Sequence, residues 1–219
     1  MSHKVFAAFA VAAFSFLTFQ FHAAPANAAP PPGGVLDFTV LRNGSEVGRH
    51  EMLFRSEADS LKIDIRTNVA VKVAFITAYR FEHEGHEVWQ GTRLARLWSK
   101  TNDDGTKHVL DVTAGGDSLV VMADGKEPEK SSASIPASLW NERIVQQKSI
   151  LNTLDGSRMA IQVADLGADT VLVKGATMPA RHYAITGDLQ REVWYDAQNV
   201  LVKVRFKAKD GSDIEYIRQ

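Results

Sequence analysis

The 219-residue chain has no cysteine. That absence excludes disulfides, thiolate metal sites and a cysteine nucleophile. It also excludes a lipid anchor, because acylation needs a cysteine after the export signal. A dominant charge sign is missing too: 25 basic residues against 26 acidic ones leave a formal net charge of −1. This balance gives no footprint for nucleic acid or an anionic membrane surface. Beyond residue 21 no hydrophobic run is long enough to span a bilayer. There is no Gly-x-Ser-x-Gly elbow, and no glycine-rich phosphate loop follows a strand. The paired acids Asp103-Asp104 sit in a turn sequence, which leaves glycosidase chemistry without support. No catalytic residue is assigned, no cofactor is expected, and the chain is read as a non-enzyme.

What is present begins with an export signal. His3 and Lys4 form a basic start, Val5 to Phe21 an apolar stretch, and Ala26-Asn27-Ala28 a small-x-small cleavage pattern. An uncleaved anchor helix is the rival reading, but Pro25 and the small residues around it favour cleavage after Ala28. Residues 1–28 are thus a signal peptide and residues 29–34, rich in proline and glycine, a flexible leader. Residues 35–219 form one domain, about 190 residues being enough for a sizeable core. The expected compartment is the periplasm of a Gram-negative bacterium. Secretion from the cell is the runner-up.

The domain reads as strand after strand. Asn43-Gly44 is a strong hairpin signal, because both positions tolerate positive φ. From Leu61 to Val73 the side chains alternate: Leu61, Ile63, Ile65, Thr67, Val69, Val71 and Val73 share one face. A period of two over more than ten residues suits a long strand in a large curved antiparallel sheet. Glu84-Gly85 reads as a turn, as do Asn102-Asp103-Asp104-Gly105 and Gly167-Ala168-Asp169. Turns recur at the spacing of an all-β sheet, sandwich or barrel.

One stretch breaks the pattern. Between Ile135 and Leu151, Pro136 suits a first helical turn, Ser134 or Ser138 can cap it, and Trp140, Ile144 and Leu151 fall near one face. The stripe fades at Gln146, so a helix is expected over about residues 136–146. The expected fold class is mainly β: a curved antiparallel sheet or incomplete β-barrel, with one short α-helix packed on or in the concave face.

Candidate functional residues fall into a histidine group and an aromatic group. In His83-Glu84-Gly85-His86-Glu87, a bend at Gly85 would set His83 and His86 facing each other as weak candidate metal ligands. The ordinary reading of that cluster is a solvated hairpin tip. His182-Tyr183 reads either as a proton relay or as a core-edge histidine beside an aromatic. The second group is the aromatic inventory. Trp89, Trp98, Trp140, Trp194 and Phe75, with Ile144, are expected on the concave face, either as filled core or as the lining of an apolar pocket.

By the C-terminal third a resemblance is plain, and it covers essentially the whole mature chain. Its marks are Trp140-Asn141, Leu151-Asn152-Thr153-Leu154-Asp155-Gly156, Asp165-Leu166-Gly167, Tyr183-Ala184-Ile185-Thr186-Gly187-Asp188-Leu189 and Val193-Trp194-Tyr195-Asp196. Together they resemble a family of uncharacterised secreted proteins common in alphaproteobacteria and known only as a domain of unknown function. The closing pattern, Trp194-Tyr195-Asp196, then Leu201-Val202-Lys203-Val204-Arg205-Phe206 and Asp210-Gly211-Ser212-Asp213-Ile214-Glu215-Tyr216, is similar to a broader group of periplasmic β-rich proteins of unknown function. More distantly, these are similar to the half-barrel-plus-helix fold of lipoprotein carriers, a likeness of fold with little functional weight. The resemblance implies no catalytic residues. The function expected is holding an apolar or amphipathic ligand, such as a lipid or acyl chain. A structural or interaction role with envelope proteins is the alternative, and a metal-dependent enzyme the remote one.

Overall fold

A computed structural model describes residues 30–219 apart from 74, 133 and 134. The expected signal peptide lies outside the described residues, as do Ser134 and Ala29. The alternation at Leu61 to Val73 is one strand among fourteen, all in a single antiparallel sheet. The first wing is β1 (Val35–Arg42), β2 (Ser45–Glu57), β3 (Ser60–Val73), β4 (Ile76–Gln90), β5 (Arg93–Asp103), β6 (Thr106–Gly115), β7 (Ser118–Ala123) and β8 (Glu129–Ser131). The second wing is β9 (Ser149–Leu151), β10 (Arg158–Val173), β11 (Ala176–Gly187), β12 (Arg191–Tyr195), β13 (Leu201–Lys207) and β14 (Asp213–Arg218).

Each wing is a meander, because short turns leave consecutive strands as neighbours. The wings join where β1 pairs with β14, Phe38 opposite Arg218 and Val40 opposite Tyr216. The spatial order therefore runs from β8 down to β1, then from β14 down to β9. The two sheet edges, β8 and β9, are consecutive in the chain, and the sheet does not close. One continuous inner cluster holds side chains from both wings, from Leu36 and Phe38 through Ile63, Trp89, Leu97 and Leu110 to Ile161, Ile185, Val193 and Val204. Residues so far apart in strand order meet only because the sheet curls on itself. Burial of each large apolar side chain contributes about 1.5–3 kcal/mol.

Residues 135–148, on the chain between the two edges, run through the concavity. The helix expected there is not α: only Glu142–Gln146 forms a helical turn, of 3-10 type, with the Asn141 side chain accepting from the Arg143 N–H. The reason lies in the competing partners. Ala137 N–H donates to Leu151 O and Leu151 N–H to Ile135 O, both at 2.9 Å, so the start of the segment is held as an extended bridge against β9. Ile135, Trp140 and Ile144 of the segment are buried, as are Ile150 and Leu151 of β9, and Ile135 and Ile150 lie outside the expected helical stripe. Pro32–Gly34 of the expected flexible leader forms a 3-10 turn, with Gly34 against the backbone of Phe54.

Two expected turns are strand interior. Gly85 lies inside β4, and the real hairpins flank it at Phe75 and at Gly91-Thr92. Gly167 lies inside β10, where its φ of +91° serves a register shift opposite His182 and Tyr183. A glycine in a strand pattern marks a bulge or a close approach as readily as a turn.

Candidate functional site

The concave face is filled at one end and partly open at the other. At the filled end, Trp140 from the connecting segment meets Phe54 and Trp89 edge-on, with ring centroids 5.3 and 5.5 Å apart. Both indoles donate to one carboxylate oxygen, Oε2 of Glu87, at 2.8 Å from Trp89 and 2.9 Å from Trp140. Burial raises the Glu87 pKa above its usual range, outweighing the hydrogen bonds from Trp140, Trp89 and Ser138 that lower it. Tyr195 fixes the same segment by donating to Leu139 O at 2.7 Å. That bond holds Leu139 at φ +66°, a conformation costing a non-glycine residue roughly 1–2 kcal/mol. Arg143 donates to Thr92 O at 3.0 Å, tying the segment to the β4–β5 turn, and Ser99 on β5 donates to Thr153 O, just past β9, at 2.6 Å.

Beside this packed end lies a cavity of about 140 Å³, partly open to solvent. Ile65, Phe81, Leu201 and Val204 form part of its apolar wall, and Ala137, Ser138 and Leu139 of the connecting segment cover it. Its polar wall is a row across the sheet. His50 on β2 stands opposite Thr67 on β3, Thr67 opposite His83 on β4, and His83 opposite Thr101 on β5. His50 Nδ1 and Thr67 Oγ1 are 2.6 Å apart, and His83 Nδ1 and Thr101 Oγ1 are 2.8 Å apart. Burial, with some repulsion from His83, pushes the His50 pKa down to about 3. Burial pushes that of His83 down to about 4, against a weaker upward pull from Glu84. Both imidazoles are therefore neutral at physiological pH.

Among the described residues, the cavity's one cation at neutral pH comes from the other wing. Arg191, at the start of β12, places its guanidinium carbon 3.7 Å from the centre of the Phe206 ring. Phe206 meets Tyr216 at 6.0 Å, and Tyr216 meets His50 at 5.3 Å, so arginine, two aromatics and histidine ring the space. Burial lowers the Arg191 pKa, opposed only by the Tyr216 phenol. No acid lines the cavity among the described residues.

The sequence candidates fall differently. Trp89, Trp140 and Ile144 do face inward, but into the packed end and not onto the cavity. Phe75 is corrected outright: it sits fully exposed at the β3–β4 hairpin tip. Trp98 and Trp194 are on the convex side, because strand parity opposes them to Leu97 and Val193. Trp98 packs on His86 at 5.3 Å. Trp194 stacks on His182 at 4.0 Å in a small outer cluster with Val171, Ala180 and Val202. The metal pair dissolves for the same reason. His83 and His86 are three apart in one strand, so they point to opposite faces, His86 outward to Asp64 at 2.6 Å. Among the described residues no group of three histidines or acids is placed to hold a metal. Parity also parts His182, paired outward with Glu192 at 2.8 Å, from Tyr183, which packs on the inner core.

His50, Thr67, Arg191 and Tyr216 were not candidates in the sequence. The signal was there, in phase: His50 alternates with Met52 and Phe54, Thr67 with Ile63 and Ile65, and Arg191 with Val193 and Tyr195. A polar residue in the apolar phase of a strand points into the interior.

Comparison with known proteins agrees with this architecture. No curated protein matches the chain. A crystal structure of a beta-barrel-like protein of domain of unknown function DUF1849 from Brucella abortus, an alphaproteobacterium, is similar to it with a TM-score of 0.58. The match covers 84% of this chain and 94% of that one at 12% identity, a likeness of fold alone. A family model matches residues 38–219, nearly the whole β-sheet, and by that match the chain belongs to the domain of unknown function family DUF6134.

Proposed function

We propose that this chain is an exported, non-enzymatic protein of the periplasm that holds a small amphipathic ligand in the concavity of its incomplete barrel. The observation that carries the reading is the cavity of about 140 Å³ between an apolar wall and the polar row of His50, Thr67 and His83. Small-molecule sites combine such walls with a few placed polar groups. A cavity near 150 Å³ is known to take a benzene-sized body, so about that much of a ligand is enclosed. A long acyl chain would have to leave through the mouth. Binding rather than catalysis is favoured by the histidines, whose Nδ1 atoms meet threonines and not an orienting carboxylate. The test is native mass spectrometry of protein expressed in the periplasm, combined with binding of a lipophilic fluorescent dye. A bound mass of a few hundred daltons or dye binding is expected. Bare protein with no dye uptake refutes the reading.

The filled end favours a second reading, an interaction protein of the cell envelope. Trp140 packs edge-on against both Phe54 and Trp89, ring centroids 5.3 and 5.5 Å apart, as in a core that serves only stability. Capture of a defined envelope protein that binds equally well when the cavity is blocked by a Thr67→Phe substitution would favour this reading over the first.

A further inference from the structure

Arg191 is unlike most arginines of the chain. Arg42, Arg55, Arg96, Arg181 and Arg205 each pair with an acid on the outer surface. Arg191 faces inward with Val193 and Tyr195, and no acid pairs with it among the described residues. A guanidinium offers five N–H donors. Here one hydrogen bond accounts for Nη1, to Gln190 O at 2.7 Å, and the flat face lies on Phe206. A largely buried cation without a counter-charge destabilises the empty protein. Its burial also pulls its pKa down, with only the Tyr216 phenol opposing. The other titratable groups on the cavity wall are His50, His83 and Tyr216, none of which supplies a negative charge at neutral pH.

We infer that Arg191 is the anchor for an anionic group, carboxylate or phosphate, on a small ligand whose benzene-sized apolar body lies against Phe81, Ile65 and Leu139. This inference rests on the proposed ligand-holding role and names the class of ligand. The anion supplies the missing counter-charge, and the remaining guanidinium donors match the paired oxygens of a carboxylate or phosphate. Phe206 orients the fork by stacking, and Tyr216 can donate its phenol proton to the same oxygens. The neutral His50 and His83 leave the anion's charge to Arg191 alone.

The test titrates the full mature protein with benzoate, phenyl phosphate and benzyl alcohol, followed by NMR shifts of the cavity residues. At least one anion is expected to bind about tenfold or more tighter than the alcohol, as a charge-assisted hydrogen bond requires. Preference between benzoate and phenyl phosphate tells carboxylate from phosphate recognition. Arg191→Met should weaken the anion by about tenfold or more and change the alcohol by less than about twofold. Arg191→Met should also raise the melting temperature of the empty protein, since an apolar side chain replaces an unpaired buried cation. Arg191→Lys keeps the charge without the fork, and should retain part of the anion affinity even if the Met variant fails to fold. Equal affinity for anion and alcohol, or unchanged anion affinity in both variants, overturns this inference and leaves the ligand-holding role standing. If none of the three compounds binds, both fall.

Discussion

The two neutral histidines make the fold sensitive to acid in a way that can be worked out. In the folded protein His50 stays neutral down to about pH 3 and His83 to about pH 4. In the unfolded chain each takes up a proton near the ordinary histidine pKa of about 6.5. Between these values the unfolded state binds more protons, so stability rises with pH across the window. Each histidine's contribution is complete above about pH 6.5 and is lost as pH falls toward the folded pKa. At pH 5 an unfolded histidine gains about 2 kcal/mol from protonation that its folded counterpart does not. The pair thus costs about 4 kcal/mol between pH 8 and pH 5, a large share of the roughly 5–15 kcal/mol that holds a domain folded.

Glu87 works in the opposite direction. Its raised pKa means the folded state holds a proton longer, so its contribution to stability grows as pH falls through the folded value. A single pH profile would mix the two effects, and a difference between variants separates them. Urea unfolding of the wild type, His50→Gln and His83→Gln at pH 8, 7, 6 and 5 isolates each histidine. The wild type should lose about 2 kcal/mol more than either single variant between pH 8 and pH 5. In the folded protein the ring-proton shifts of His50 and His83 should stay flat over the same range. Parallel stability profiles, or a sigmoidal titration of either ring near pH 6.5, would refute the argument that these imidazoles are buried neutral on the concave face.

Three further predictions follow from the packed end and from the sheet. Glu87→Leu orphans both indole donors and should destabilise by about 1–3 kcal/mol per indole, whereas Glu87→Gln keeps an acceptor and stays closer to wild type. Equal urea midpoints for the two variants would remove the carboxylate from this role. Tyr195→Phe loses the bond that holds Leu139 at positive φ and should cost about 1–3 kcal/mol by thermal unfolding, with faster amide exchange in residues 137–140. Gly48→Ala drives a Cβ into Asn68 O and Val69 Cα of the neighbouring strand and should cost about 3 kcal/mol or abolish folding, where Gly44→Ala meets no atom and loses only to its positive φ.

Much of the sheet was legible because its physics is local. The strand at Leu61 to Val73 and the Asn43-Gly44 turn follow from side-chain period and from the ability to adopt positive φ. The connecting segment was not legible, because its burial is set by a sheet that surrounds it. Trp140 and Ile144 fit a helical stripe equally well whether the backbone is helical or threads a concavity. Long-range bonds such as Ala137 to Leu151 decided between the two. The family resemblance was also legible, and it covers the same chain that the family match covers.

The site was half-written in the sequence, and the missing half was one of parity. Reading Gly85 as a bend brought His83 and His86 together; reading it as one more residue of a fifteen-residue strand separates them at once. Gly85 is buried in β4, and a Cβ there would stand 3.1 Å from His83 Nε2, so the absent side chain leaves room for the imidazole of the polar row. The same two-residue period places Trp98 and Trp194 outside and His50, Thr67 and Arg191 inside. Aromatic content was a poor guide to the concave face, since indoles pack well on either side of a sheet. Polar residues in the apolar phase were the better guide. An inward histidine or arginine opposes burial and persists only with a partner, and here His50 and His83 have threonines while Arg191 has a ring beneath it and no acid. That imbalance, and not the number of aromatics, marks the face on which a ligand would complete the structure.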